Sequence, residues 1–229
     1  KRVGLAIHAA AIVKYFGDYE VFKRTNVFGT GVVADFCLEF DIPFAHISTL
    51  GISGNYLVEQ SQNCAAFTEK DFYVGQRYME NVYIRSKFEA ENLVYNRMSD
   101  GLKAGIFRVG NLTGRYNDGY FQHNADENAF YNILRSFIKL GAVSKEIFKQ
   151  RVEFTPVDCC SRAIVRLLSI KNFTNRVFHV FNHNIIEFRD MLDMFNALGI
   201  NIKVMETEEF SQYIHRVALD DTKKEYRSE

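Results

Sequence analysis

Residues 43–50, Pro-Phe-Ala-His-Ile-Ser-Thr-Leu, and residues 103–109, Lys-Ala-Gly-Ile-Phe-Arg-Val, are two apolar runs of strand length. The segment between them includes Asn81–Ser99, which has the length and composition of a helix and is followed by Asp100-Gly101, a typical helix end. Strands separated by a helix of this length pair in parallel, with the helix packed across the sheet. This stretch therefore predicts an α/β fold.

The same alternation continues on both sides of that unit. Before it, Val3–Ala9 is predicted as a strand and Asp18–Phe40 as a helix, and a polar loop is predicted over residues 51–80. After it, the predicted elements are helix Glu127–Leu140, strand Arg151–Thr155, helix Val157–Ile170, strand Val177–Phe181, helix Ile186–Leu198, strand Ile202–Met205 and a polar, partly helical tail, Thr207–Glu229. The pattern predicts a doubly wound parallel sheet with helices on both faces.

Two parts of the chain differ in character. Residues 1–115 carry the clearest strand and helix alternation, and we interpret them as most of a Rossmann-type domain. Residues 116–229 have longer loops, and they are predicted to form mainly a smaller substrate-binding subdomain that returns to the sheet near 151–181. The chain also opens almost directly on a buried strand, which suggests a fragment of a longer polypeptide whose first sheet strands lie upstream.

Composition excludes several classes of function. The 229 residues contain 28 basic and 28 acidic side chains, so neither nucleic acid nor an anionic membrane is favoured as a partner. The most apolar stretch, Val3–Val13, is too short to span a membrane, and no signal peptide is visible. The four cysteines, Cys37, Cys64, Cys159 and Cys160, lack metal-knuckle spacing. We interpret them as reduced thiols of a cytoplasmic protein.

The most informative local pattern is Tyr83-Ile-Arg-Ser-Lys87. On a helix, side chains four positions apart share a face, so the phenol and the ammonium can enter one pocket. A nearby cation lowers a tyrosine pKa and makes the phenol a usable proton donor or acceptor. The spacing alone is weak, because Tyr19-Glu-Val-Phe-Lys23 also has it and both can be solvated helix faces.

The preceding strand separates these two matches. It ends in Ser48-Thr49, and the carboxyl ends of parallel strands face the ligand crevice of such a sheet. A hydroxyl at that edge can bind a substrate carbonyl together with Tyr83, whereas Tyr19 follows no such strand end. The alternative interpretation of Ser48-Thr49 is a capped turn.

Three weaker signals accompany the Tyr83 motif. His8-Ala-Ala-Ala11 follows the first strand, and its small residues let a ligand approach the backbone. Asn26 lies within the predicted helix, where asparagine is a poor helix former and can bridge backbone across a kink. Asn111 follows the third strand in a glycine-containing turn. Each also has an ordinary structural interpretation, and no metal site is predicted.

The order of these motifs resembles the extended short-chain dehydrogenase/reductase family. The similar segments are His8–Val13, Asn26–Thr30, His46–Thr49, Tyr83–Glu91, Arg108–Gly119 and Thr155–Asp158. Within that family they are most similar to the thioester reductase domains that end many nonribosomal peptide synthetases. Carboxylic acid reductases and fatty acyl reductases carry similar domains.

The resemblance implies roles for individual residues. Tyr83 would donate the proton, Lys87 would lower its pKa and bind the nicotinamide ribose, and Thr49, with Ser48 as second choice, would hold the carbonyl oxygen. Asn26 would support the backbone or a proton relay. The implied cofactor-binding residues are His8, Ala9, Ala10, Ala11, Asn26, Tyr83, Lys87 and Asn111.

The resemblance also implies a reaction. NADPH, rather than NADH, would reduce an acyl or peptidyl thioester on a phosphopantetheinyl carrier protein and release an aldehyde, or an alcohol after a second reduction. The chain lacks the family's glycine-rich cofactor motif, so the upstream part of the same polypeptide is an expected partner. Two alternatives stay open: an epimerase or dehydratase acting on a nucleotide sugar, and a catalytically inactive fragment or scaffold.

Overall fold

The computed structural model describes residues 3–56, 66–123, 125, 128–170 and 172–219. The strands are β1 (Ala6–His8), β2 (Phe44–Thr49), β3 (Ala104–Val109), β4 (Leu112–Thr113), β5 (Ala142–Ser144), β6 (Arg151–Val152), β7 (Thr155–Pro156), β8 (Arg176–Val180), β9 (Ile186–Glu187) and β10 (Lys203–Met205). The α-helices are α1 (Tyr19–Phe22), α2 (Gly29–Glu39), α3 (Val82–Ser99), α4 (Ala129–Leu140), α5 (Lys145–Phe148), α6 (Val157–Leu168), α7 (Phe188–Ala197) and α8 (Thr207–Leu219).

The main sheet has the strand order β1-β2-β3-β8, and every neighbouring pair is parallel. In register, His8 lies opposite His46, and His46 lies opposite Ile106 on the next strand. Helices cover both faces. The first face packs against α2 and α3 through the core residues Ala34, Cys37, Phe44, Val94, Ala104 and Ile106. The second face packs against α6 through Ala45, Phe107, Val109, Cys160 and Val180. The predicted doubly wound parallel fold is confirmed.

The helix predicted over Asp18–Phe40 is interrupted. Its first turn begins after Asp18, whose carboxylate accepts from the Glu20 N–H at 3.0 Å. Residues Lys23–Phe28 then form a π-helical turn, and the α-helix resumes at Gly29. Such turns commonly mark functional sites, and this one places the side chain of Asn26 inside the fold.

Helix α3 carries the Tyr83 motif and begins at a well-formed cap. The side-chain oxygen of Asn81 accepts from the backbone N–H groups of Tyr83 and Ile84, at 2.9 and 3.0 Å. This cap fixes the start of the helix, and therefore the direction in which the side chain of Tyr83 leaves it. The helix ends at Ser99, and Gly101 has a φ of +109°, a left-handed value that glycine tolerates.

The chain divides into two compact units. The first contains residues 1–122 and 155–182 and includes the main sheet. The second contains residues 123–154 and 183–229, in which β5 pairs with β10 in parallel and β6 pairs with β9 in antiparallel. The core of the second unit is Phe137, Val143, Phe188, Met191, Leu192 and Ile202. The cofactor and substrate roles expected for the two parts of the chain stay predictions.

One predicted strand is wrong. Residues Arg151–Thr155 do not form one strand, because Arg151–Val152 pairs with β9 while Thr155–Pro156 pairs with β4. Alternating hydrophobicity cannot show that a segment passes between two compact units within five residues. The short strands β4 and β5 and the helix α5 were also not predicted, since elements of two to four residues carry too little periodic signal.

Two further sequence expectations concern the whole chain. Cys37, Cys159 and Cys160 are free thiols, while Cys64 lies outside the described residues. Among the helices that the structure describes, none has both the length and the hydropathy needed to cross a bilayer.

Candidate active site

The candidate site lies at the carboxyl end of the main sheet, where β1, β2 and β3 deliver their last residues. Thr49 is the final residue of β2, and Tyr83 and Lys87 lie one helical turn apart on α3. The side chain of Thr49 hydrogen-bonds the phenol of Tyr83. The structure therefore brings together the three residues predicted to be catalytic, although they are distributed over 39 positions of the chain.

Thr49 is held by the turn that follows β2. Its hydroxyl oxygen also accepts from the Gly51 N–H at 3.1 Å, which caps the 3-10 turn Leu50–Ser53. The alternative interpretation of Ser48-Thr49 as a capped turn is thus correct for Thr49, and the same hydroxyl also contacts Tyr83. Ser48 points elsewhere, since its hydroxyl donates to Glu91 at 2.5 Å.

The pKa of Tyr83 lies above its ordinary value of 10.0. Burial is the main cause, the nearby phenol of Tyr15 adds to it, and the hydrogen bond from Thr49 opposes it. The predicted lowering by Lys87 is not observed, because the charge of Lys87 is absent among the causes and desolvation dominates. The phenol is consequently protonated at neutral pH and can donate a proton.

Lys87 is a buried cation with 4% of its surface exposed. Its Nζ donates to the main-chain carbonyl of Ile47 at 2.7 Å. Burial lowers its pKa from 10.5 to about 8, while the carboxylate of Glu91 raises it. An ammonium has three N–H groups, and no second partner for this one is found among the described residues. Two donors are therefore left to bind a ligand such as a ribose diol.

Asn26 connects the segment after β1 to α3. Its side chain accepts from the Ile12 N–H at 2.8 Å and donates to the Ile12 carbonyl at 3.0 Å, as a neighbouring strand would. It also donates to the Ser86 hydroxyl at 2.8 Å, and Ser86 in turn donates to the Tyr83 carbonyl. Asn26 is 1% exposed. The geometry makes it a backbone support.

His8 and the three alanines form the edge of the site at the end of β1. The Nε2 atom of His8 lies 3.2 Å from the Thr30 hydroxyl, which itself donates to the Asn26 carbonyl at 2.6 Å. Ala9 and Ala10 are exposed and Ala11 is partly buried, so their backbone is accessible to a ligand. This small-residue segment fits the close approach of a flat group.

Asn111 begins the turn that follows β3. Its carbonyl accepts from the Thr155 N–H at 2.9 Å, and the next two residues pair with β7. Further along, a Cβ at Gly114 would lie 2.3 Å from the Gly119 carbonyl oxygen. Glycine is therefore required for the chain to fold back on itself at this turn. The predicted contact of Asn111 with a cofactor stays a prediction.

Sequence reasoning missed Tyr15. Its ring centroid lies 6.0 Å from that of Tyr83, and burial raises the pKa of Tyr15. Tyr15 belongs to the irregular segment that Asn26 holds at Ile12, and it lies beside the proposed proton donor. No spacing rule identifies such a residue, because its position depends on how this segment folds.

Sequence reasoning also missed the buried ion pair of Glu91 and Arg108. Both side chains are 0% exposed, and two guanidinium nitrogens donate to one carboxylate oxygen at 2.7 and 3.0 Å. Arg108 also donates to the carbonyls of Thr68 and Asp71, at 3.3 and 2.8 Å. The pair therefore joins α3, β3 and the segment that leads to Tyr83. Glu91, eight positions after Tyr83 and on the same helix face, was the available signal.

The described residues contain no cluster of histidine, cysteine or acidic side chains able to hold a metal ion. What the site offers is a protonated phenol, a hydroxyl beside it, a buried ammonium with free donors and an accessible small-residue edge. These groups can hold a carbonyl oxygen and protonate it.

Comparisons with known proteins agree with this geometry. An NAD-binding family described as "Male sterility protein" matches residues 1–164. A linear gramicidin synthase from Brevibacillus parabrevis contains a polypeptide that is 24% identical over 219 residues, which are 95% of this chain and 4% of that protein. The chain thus spans a small part of this relative.

Solved structures are similar over most of the chain. A thiolation-reductase di-domain from an archaeal non-ribosomal peptide synthetase has 34% identity and a TM-score of 0.79, covering 93% of this chain and 45% of that one. The terminal R domain of the myxalamid PKS-NRPS pathway has 23% identity and a TM-score of 0.80, covering 96% and 54%. UDP-glucuronic acid 4-epimerase from Bacillus cereus, with 16% identity and a TM-score of 0.66 over 89% and 63%, shares the fold.

Proposed function

Because this chain belongs to the NAD-binding family described as "Male sterility protein", and its homologues are reductase domains, we propose that it reduces a carrier-bound thioester. The substrate is an acyl or peptidyl group on the phosphopantetheine thiol of a carrier protein, and the product is an aldehyde. The observation that carries the proposal is the contact between Thr49 and Tyr83, one turn from the buried ammonium of Lys87.

NADPH is the proposed cofactor, and when bound it supplies the hydride that reduces the thioester carbonyl. The residues present fit such a ligand: Lys87 has two donors left for the ribose, and the exposed backbone of Ala9–Ala11 lies at the same sheet edge. His8, Asn26 and Asn111 complete the proposed cofactor side. The choice of NADPH over NADH, and the participation of an upstream segment, follow from the family resemblance.

Thr49 and Tyr83 hold the carbonyl oxygen of the thioester. Negative charge develops on that oxygen during reduction, and two adjacent hydroxyl donors stabilise it. Tyr83 then gives up its proton to this oxygen. Because burial raises the pKa of Tyr83, the phenol is in the donor form at neutral pH. The resulting hemithioacetal collapses to an aldehyde and the free carrier thiol.

The experiment measures NADPH oxidation with an acyl-pantetheine thioester, and the products are identified by mass spectrometry. The chain is assayed both alone and joined to the sequence that precedes it in its gene. Tyr83→Phe should reduce kcat by about 100-fold or more. Tyr78→Phe is the matched control, because the Tyr78 ring stacks on Phe88 and its hydroxyl plays no part in the site. Wild-type turnover in Tyr83→Phe would contradict the proposal.

A second candidate is an epimerase or dehydratase acting on a nucleotide sugar. Its support is the fold shared with UDP-glucuronic acid 4-epimerase. The two functions differ in the fate of the cofactor, since an epimerase returns the hydride and consumes no NADPH. Conversion of a UDP-sugar without net NADPH oxidation would replace the first proposal. Bound NADPH with neither reaction would support the inactive alternative.

A further inference from the structure

His46 is a wholly buried imidazole that the mechanism above does not use. It lies in the middle of β2, 0% exposed, and neither ring nitrogen has a hydrogen-bond partner among the described residues. Buried polar atoms are rarely left in this state, since an unmet donor in the interior destabilises the fold. The side chain therefore requires a functional explanation.

The titratable neighbours of His46 come from two elements. On β1, His8 lies directly opposite it, and the two rings stack with centroids 6.1 Å apart and planes 21° apart. On α3, the ammonium of Lys87 is close enough to lower the pKa of both histidines, after burial as the main cause. The other contacts are apolar: Phe44 stacks on both rings, and Ile106 lies opposite on β3.

His8 links this buried pair to the surface. It is only partly buried, and its Nε2 atom lies 3.2 Å from the Thr30 hydroxyl. The structure thus contains a row of polar groups that starts at a solvent-accessible imidazole and passes a buried one. It ends at the lysine behind the proton donor. At neutral pH both rings are neutral, because their pKa values are lowered, so each offers one donor and one acceptor.

We propose that His8 and His46 form a proton-return path that resupplies Lys87 from solvent after Tyr83 has donated its proton. The inference rests on the proposed reductase function. His46 acts through Lys87 and is therefore a positioning and relay residue. One water molecule between polar groups is enough to connect neighbours at these distances.

The proton balance is complete without a further reagent. The Tyr83 O–H bond breaks as its proton passes to the substrate oxygen, and an N–H of Lys87 replaces it. Lys87 regains a proton from an N–H of His46, whose other nitrogen takes one from His8, and His8 takes one from water. Both rings stay neutral and change tautomer, and a ring flip restores the starting state. The net change is one proton taken from solvent.

The first test does not need activity. In lysine-labelled protein, the 13Cε signal of Lys87 is identified by its loss in Lys87→Met and followed against pH. His46→Phe, which keeps the ring shape, should lower the titration midpoint of Lys87 by about one pH unit, the size of one hydrogen bond to a charged group. Phe44→Leu is the matched control, because it alters packing on the same strand face without removing a polar atom.

The second test uses the reductase assay. His46→Phe should lower kcat about tenfold with KM unchanged and increase the solvent deuterium isotope effect on kcat. His8→Ala should lose activity that added imidazole restores, since His8 is accessible, whereas His46→Phe should not be rescued. A lower melting temperature with unchanged kcat and Lys87 midpoint would make His46 a packing residue and overturn the inference. A shifted midpoint without reductase activity in any form would instead overturn the proposed function.

Discussion

Lys87 is a buried cation, and its burial makes the stability of the protein depend on pH. The pKa falls from 10.5 in the unfolded chain to about 8 in the fold, so between these values the unfolded state binds more protons and stability rises with pH. Below pH 8 the full penalty of burying the charge is present. The residue that the reaction needs therefore opposes folding at neutral pH.

Replacing this charge should stabilise the protein. Lys87→Met keeps the length of the side chain, so we expect a gain of about 2–3 kcal/mol in the free energy of unfolding at pH 7. The gain should shrink between pH 8 and pH 10.5 as the unfolded wild-type lysine loses its proton. Urea titrations at several pH values measure this. A gain that does not vary with pH would show that the lysine is not charged when buried.

Tyr15 should control the ionisation of Tyr83. Its ring covers Tyr83 and its phenol adds to the raised pKa. Tyr15→Phe keeps the cover and removes the charge, so it should lower the pKa of Tyr83 slightly. Tyr15→Ala admits water as well and should lower the pKa further. The 13Cζ signal of Tyr83 in tyrosine-labelled protein measures both effects. Equal titration in the two variants would exclude a shielding role for the ring.

At the residue level, the sequence predicted which side chains meet and failed on their ionisation. Thr49, Tyr83 and Lys87 were found from strand-end position and helical spacing, which depend on local geometry. The effect of Lys87 on Tyr83 was wrong, because desolvation depends on the complete packing around the phenol. Tyr15 and His46 belong to the same class, since burial decides what each one does.

At the level of elements, Asn26 shows how a single amide replaces a missing strand contact. Its side chain meets both polar groups of Ile12 and so fixes the irregular segment that carries Tyr15. The sequence signalled a kink at a poor helix former, and the structure places a π-helical turn there. What the sequence could not supply was the partner of the amide, which lies 14 positions away in a segment without periodicity.

Changing this amide should loosen the segment before it affects the helix. Asn26→Ala removes three hydrogen bonds and should lower the free energy of unfolding by about 2–3 kcal/mol. Asn26→Asp should be worse, because a carboxylate cannot donate to the Ile12 carbonyl. Faster hydrogen exchange at the Ile12 amide measures the local effect. Asn92→Ala, an exposed position on α3, is the control and should change stability by less than about 0.5 kcal/mol.

Across the whole molecule, the strong alternation of long elements carried the prediction of the fold, and the connections between the two compact units did not follow from it. The parallel sheet needed only three well-separated apolar runs with a helix between them. The passage of residues 151–155 from one unit to the other depends on pairing partners more than 30 positions away. Such pairings are set by packing of the complete chain, and a local pattern contains no record of them.

Glu91 and Arg108 join distant parts of the first unit, so their loss should affect its global stability. Arg108→Met leaves the Glu91 carboxylate buried without a counter-charge and should destabilise the protein by about 3–5 kcal/mol. The double variant Glu91→Leu with Arg108→Met removes both charges and should recover much of this loss. Ser48 then loses its acceptor, and the carbonyls of Thr68 and Asp71 lose their donor, so recovery should be incomplete.

Denaturant unfolding of the wild type, both single variants and the double variant forms a complete cycle for this pair. A coupling free energy near zero would mean that the ion pair contributes nothing of its own, and that Arg108 acts only through the carbonyls it binds. A large coupling with near-native stability of the double variant would mean that the charges oppose each other's burial. In that case the conformation of the segment leading to Tyr83 does not require them. The reductase assay separates these cases further, because a segment that has lost its anchor should lower kcat even where stability recovers.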